Sequence, residues 1–154
     1  YKDRWEKAAE NNSNGPFLTG LLDKAIETYL KGFEADFRDA YPGVNAVTLM
    51  DIRQPPDSRK DKLLPVVHYA VERKMAAGQP DYWDFATKLE LAVVACDQEA
   101  AREYLTKSLS AVIEKWQPET TAKQLRHILN ARKTRNESVE WLEGIVDELY
   151  KAAG

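Results

Sequence analysis

His68 and Glu72 stand four residues apart in a stretch whose apolar residues Leu64, Val67, Val71 and Met75 recur at the helical period. On a helix this spacing puts an imidazole and a carboxylate on one face, the arrangement that holds two ligands of a metal ion. No third ligand is near in sequence, and a pair without one reads as ordinary groove or surface side chains. The second histidine, His127, has Lys123 four residues before it and Ala131 four after it, so neither turn supplies a partner for metal or acid–base work. Cys96, the single cysteine, needs a neighbouring base to act as a nucleophile. It occupies a small-residue position at a helix–helix turn, where packing is the expected role. These residues predict no catalytic centre, no metal and no cofactor, and the chain is expected not to be an enzyme.

Binding chemistry is better represented. Residues 115–135 carry Lys115, Lys123, Arg126, Arg132, Lys133 and Arg135 against Glu119 alone, in a chain whose net charge is -3. Lys123, Arg126, Arg132, Lys133 and Arg135 therefore form a candidate patch for a nucleotide or other anion, or for an acidic partner. The competing account is a solvated face neutralised by the acidic final segment, Glu137, Glu140, Glu143, Asp147 and Glu148. A second candidate is the turn Tyr41-Pro42-Gly43-Val44-Asn45. Gly43 lets backbone approach closely, and Asn45 offers a donor and an acceptor one turn into an apolar helix. Asn45 either ties this helix to its neighbour or faces a groove that grips an extended peptide.

The elements that carry these residues are all helical. Leu21, Leu22, Ala25, Ile26, Tyr29, Leu30, Phe33 and Phe37 form one apolar stripe, so the spacing predicts a long helix that breaks at 39–43. A second helix starts with Pro42 in its first turn and runs to about Ile52. Residues 2–10 read as a short helix around Trp5, 11–16 and 53–61 as loops, and a helix follows from Lys62 to Gly78, with Pro65 in its first turn. Asp81 is placed to cap a helix over 82–95. Further helices are predicted over 98–114, over 119–132 after a Trp116-Gln117-Pro118 break, and in a final segment capped by Ser138. The acceptor-like triplet Asn136-Glu137-Ser138 is read as part of that cap. No segment alternates like a strand. The expected class is all-α, about seven or eight helices in antiparallel hairpins with short connections.

Length and composition agree with this class. A chain of 154 residues predicts one domain, large enough to bury a core without disulfides. At 44% hydrophobic and 31% charged the balance is that of a soluble protein, and no apolar run reaches the length of a membrane span. The start of the sequence has no signal-peptide core and no initiator Met, so residues 1–154 read as a fragment of a longer, cytoplasmic protein.

Two stretches superimpose without a gap. Gly20, Ala25, Tyr29, Gly32 and Phe33 match Cys96, Ala101, Leu105, Ser108 and Leu109. Their offset of 76 positions is two periods of about 34 residues plus the eight residues 54–61, a pattern that resembles the second half of the tetratricopeptide repeat. More narrowly, Tyr29-Leu-Lys-Gly-Phe33-Glu-Ala-Asp, followed by Asp39-Ala-Tyr41-Pro-Gly43-Val-Asn45-Ala-Val-Thr-Leu49, resembles the TRAFs-binding domain of apoptosis signal-regulating kinases and of bacterial tetratricopeptide-like proteins. The resemblance is strongest over 17–52. It implies a right-handed solenoid of stacked helical hairpins, acting as a regulatory scaffold that holds protein partners. No kinase signature or glycine-rich phosphate loop is present, so kinase activity does not transfer with it.

In that frame the groove positions are Tyr41, Asn45, Thr48 and Asp51, then Trp83 and Glu90, then Gln124 and His127. The expected function is a non-catalytic protein-interaction or scaffold module in signalling or stress response, with the anion-sensing patch as the alternative. A protein or peptide is the expected partner. Membrane and nucleic acid are not expected, and a homo-oligomer is compatible with the sequence.

Overall fold

The computed structural model describes residues 1–11 and 15–154. Among these residues there are eight α-helices and no strand: α1 (Lys2–Glu10), α2 (Pro16–Ala35), α3 (Ala40–Ile52), α4 (Lys60–Ala76), α5 (Tyr82–Val94), α6 (Gln98–Ser110), α7 (Trp116–Thr134) and α8 (Glu140–Ala153). The all-α expectation holds. The chain divides into two compact units, Tyr1–Val67 and His68–Gly154. The loop expected over 11–16 lies partly outside the described residues.

In the first unit, α2 starts on Pro16, whose missing N–H costs nothing in a first turn. It buries Leu21, Leu22, Ala25, Ile26, Leu30 and Phe33, and it packs against α1 and α3. Phe37 does not continue this stripe. The helix ends at Ala35 because Asp36 is extended and its carboxylate accepts the Arg38 N–H at 3.0 Å, turning the chain. Phe37 is thereby left exposed, touching Phe33 only edge-on at 5.1 Å. Asp39 then caps α3 by accepting the Tyr41 N–H at 3.3 Å.

α3 is buried at every position except Tyr41. Its third and fourth residues explain how neighbours come so close. A Cβ on Gly43 would lie 2.8 Å from Phe33 Cδ1 and 2.8 Å from Val67 Cγ2, inside any permitted contact. Gly43→Ala is therefore expected to overpack this junction and destabilise the protein by about 1–3 kcal/mol. Urea denaturation checks it, and a loss below about 0.5 kcal/mol, the level of a neutral surface change, would show that the junction yields.

α4 begins two residues earlier than expected, after a turn in which Asp57 accepts the Arg59 N–H at 3.0 Å. Pro65 consequently lies inside the helix rather than in its first turn.

The second unit is built on packed neighbours in sequence, α5 with α6 and α7 with α8, joined by contacts of α5 with α7 and α6 with α8. Asp81 caps α5 as expected, in a reciprocal box with Asp84. Cys96 is a correction. It is exposed, not packed, because it adopts the left-handed conformation (φ 57°) that lets its N–H and that of Asp97 reach back to Val93 and Ala92. Asp97 caps α6, which stops at Ser110 instead of reaching 114. α7 includes Trp116, Gln117 and Pro118, expected to separate helices. Pro118 is the third helical residue, where no N–H partner is needed. Gln117 Oε1 accepts the N–H groups of Ile113 and Glu114 at 2.9 and 3.1 Å, tying the preceding turn to the helix. Ser138 does not cap α8. The cap position is Val139, without a side-chain bond, and Asn136 (φ 59°) instead belongs to the exit turn of α7.

The internal repeat is matched only in part. Ala25 and Ala101 are both buried, but Gly20 lies within α2 while Cys96 forms a turn, and exposed Gly32 aligns with buried Ser108.

Candidate partner-binding surface

The polar residues of α3 are inside the first unit, not on a groove. Asn45, Thr48 and Asp51 are buried. Burying such groups costs free energy unless partners are supplied, and here they are. Lys2 Nζ of α1 donates to Asn45 Oδ1 at 2.6 Å, and Asn45 Nδ2 donates to the Tyr41 carbonyl at 3.0 Å. Lys60 Nζ of α4 donates to Asp51 Oδ1 at 2.9 Å, with both side chains largely hidden. Asn45 and Asp51 therefore tie α3 to α1 and α4. Only Tyr41 of the four faces out, edge-on to Tyr29 at 6.2 Å. Burial, reinforced by Tyr41, pushes the Tyr29 phenol up to about 12.

The basic run is committed to pairs inside the second unit. Arg132 is only 2% exposed, and its Nη2 donates to the carbonyls of Val93 and Val94 at 2.8 and 3.4 Å. It braces the C-terminal end of α5, sharing the Val93 carbonyl with the Cys96 N–H. Lys123 pairs with Glu119 of its own helix at 3.3 Å, Lys133 with Glu143 of α8 at 3.1 Å, and Arg135 with Glu137. Arg126 Nη1 donates to Tyr150 Oη at 3.2 Å, its guanidinium over the same ring. Of the six cations of the run, Lys123, Arg126, Lys133 and Arg135 thus have partners outside the core, and Lys115 is exposed.

His68 and Glu72 do share a face, as their spacing requires, 3.4 Å apart. The cation between them is the buried ammonium of Lys88, 2.9 Å from His68 Nε2 and 3.1 Å from Glu72 Oε1, with the Tyr104 ring on another side. The hydrogen bond from Lys88 holds the Glu72 carboxyl below its usual range. Among the described residues no three potential metal ligands gather.

Large apolar side chains are accessible as well. Trp83, near the start of α5, and Trp116, the first residue of α7, lie with ring centroids 5.7 Å apart. They are 37% and 55% exposed, and Ile113 in the turn before α7 is 84% exposed. The pair rests on a rigid base. Trp83 stands edge-on to buried Tyr82 at 5.0 Å, and the Tyr82 hydroxyl shares a 2.7 Å hydrogen bond with Thr121 of α7. Burial raises the Tyr82 phenol pKa. Such an arrangement can give an approaching partner two large, preordered apolar faces.

The family model described as the MAP3K TRAFs-binding domain matches residues 1–147. The chain belongs to this family. No curated protein and no solved structure matches it. By its description the TRAFs-binding domain is a protein-interaction domain, and no catalytic family is indicated. Among the described residues of this TRAFs-binding domain, no helix is long and apolar enough to cross a membrane.

Of the sequence candidates on α5 and α7, Trp83 belongs to the exposed pair. Glu90, Gln124 and His127 are half-buried two to three helical turns further along. Trp116 and Ile113 were missed as site residues because Pro118 made 116–118 look like a break. The available signal was that a proline in the third position of a helix leaves Trp116 in its first turn.

Proposed function

We propose that this TRAFs-binding domain is a non-catalytic interaction module of a cytoplasmic signalling or stress-response protein, with residues 1–154 acting as one domain. Its protein partner, of the TRAF type in the family description, docks on Trp83, Trp116 and Ile113. The observation that carries this is the Trp83–Trp116 pair, solvent-exposed on a hydrogen-bonded base. Exposing two indoles is unfavourable in an isolated domain, and tryptophan is enriched among residues that anchor interfaces. The anion-sensing alternative draws little support from the basic run, since nearby carboxylates and Tyr150 already engage Lys123, Lys133, Arg135 and Arg126.

Titration of the purified domain with a TRAF-type protein tests this. Trp83→Ala and Trp116→Ala are each expected to weaken binding by about 30-fold, the fold-change of a 2 kcal/mol hot spot. Arg126→Ala should leave affinity within about threefold and the salt dependence should be shallow, as for any rim charge. Unchanged binding by both tryptophan variants, with affinity falling steeply in salt, would transfer the site to the basic run.

A further inference from the structure

An open cleft of about 430 Å³ in the first unit is lined by Asp23 and Glu27 of α2 and by Arg53, Asp57, Ser58 and Arg59 of the loop before α4. Two guanidiniums fasten the loop to the helix. Arg53 Nε donates to Asp23 at 2.7 Å, and Arg59 Nη2 donates to Glu27 at 2.6 Å and to Asp57 at 2.7 Å. The bond from Arg59 keeps the Asp57 carboxyl below the usual carboxylate range.

Ser58 is exposed in this cleft, whose lining includes both arginines, with Arg59 and Lys60 following it in the chain. Its setting differs from that of the other exposed hydroxyls. Thr19 lies within α2, and Thr28, Thr106, Ser110, Thr120 and Thr134 lie within helices or at their ends, each of these five donating to the carbonyl four residues back. Ser138, also exposed and outside a helix, stands between Glu137 and Val139-Glu140. A protein kinase needs a hydroxyl on backbone that can be drawn into its own cleft, and the segment 53–59 provides that as a surface loop.

We propose that Ser58 is a phosphorylation site, and that its phosphate takes Arg53 and Arg59 from Asp23 and Glu27 and so releases α2 from the loop. In the transfer, Ser58 Oγ bonds to the γ-phosphorus of ATP as the bond to the bridging oxygen breaks. ADP leaves, and the hydroxyl proton passes to the base of the kinase. Phosphoserine carries about -1.5 to -2 at neutral pH and accepts bidentate bonds from arginine, so it outcompetes singly charged carboxylates for the same guanidiniums. It is also attached to the loop that bears them. The inference concerns regulation of the first unit and is independent of the docking surface on α5 and α7.

The full chain is incubated with ATP and a serine kinase that prefers basic neighbours. Mass spectrometry locates the phosphate, and hydrogen exchange follows the amides of α2. Phosphate on Ser58 is expected, with exchange around 23–27 faster by about fivefold, the fold-change that two exposed ion pairs of ordinary strength give. Arg53→Ala with Arg59→Ala should reach the fast rate without phosphate, and Ser58→Ala should keep the slow one under the same treatment. Absence of phosphate from Ser58 overturns the proposal, as does a phosphorylated Ser58 with α2 exchange unchanged.

Discussion

Truncating Leu105 to alanine is expected to lower the unfolding free energy by about 2–5 kcal/mol, the range of a buried leucine whose surroundings only partly collapse. Leu105 sits mid-way along α6, shielded almost completely, in line with Ala101 and Ser108 on a face that packs against α5 and α8. Ser108 bonds its hydroxyl to the Tyr104 carbonyl at 2.7 Å, so that face has no polar group waiting to fill a void with water. Leu109→Ala is the useful contrast, since Leu109 is half-buried and its loss should be smaller. Urea denaturation of the two variants measures both. A Leu105→Ala effect below about 0.5 kcal/mol would mean that α6 packs by some other face.

The helices were legible in the sequence where their signals are local. Asp81 caps where a short acidic side chain precedes an apolar run, and the stripe from Leu21 to Phe33 is buried as its spacing requires, whereas the cap at Asp39 lay inside the stretch read as a break. Where two local signals compete, the ends were misplaced. Phe37 has the right spacing but follows Asp36, whose turn ends the helix first. Trp116 and Gln117 were surrendered to Pro118, although a third-position proline is compatible with helix.

The candidate site was legible only in part, because exposure of a polar residue depends on partners distant in sequence. Nothing near Asn45 announces that Lys2 of α1 will reach it, nor near Asp51 that Lys60 will bury its charge beside it. A polar line on a helix reads as a groove face until those partners are known. Tyr41 and Trp83, the second residues of α3 and α5, kept their accessibility while their neighbours Ala40 and Tyr82 are buried, so the first turn of each helix turns one side chain in and the next one out.

Arg132 presents the same difficulty in its sharpest form, and Arg132→Ala is expected to cost about 2–4 kcal/mol of stability. In sequence it is one of six cations in a run. In the fold its guanidinium is buried against the end of α5, donating to carbonyls 39 and 38 residues away in the chain. Those carbonyls belong to the last turn of α5, where the dipole favours a cation and the turn at Cys96 supplies one N–H, to Val93. Alanine would remove the charged donor from both carbonyls, leaving Val93 only the Cys96 N–H, at about 1.5–3 kcal/mol for hydrogen bonds from a charged group, and would remove the packing of the aliphatic stem. Arg126→Ala, by contrast, breaks an exposed contact with Tyr150 and should cost less than about 1 kcal/mol. Arg132→Lys restores the charge but not the planar fork, and should recover part of the loss. Thermal and urea unfolding of the three variants give the ranking. Equal, small losses for Arg132→Ala and Arg126→Ala would mean that water serves the end of α5 as well as the guanidinium does, and would return Arg132 to the surface run in which its sequence neighbours place it.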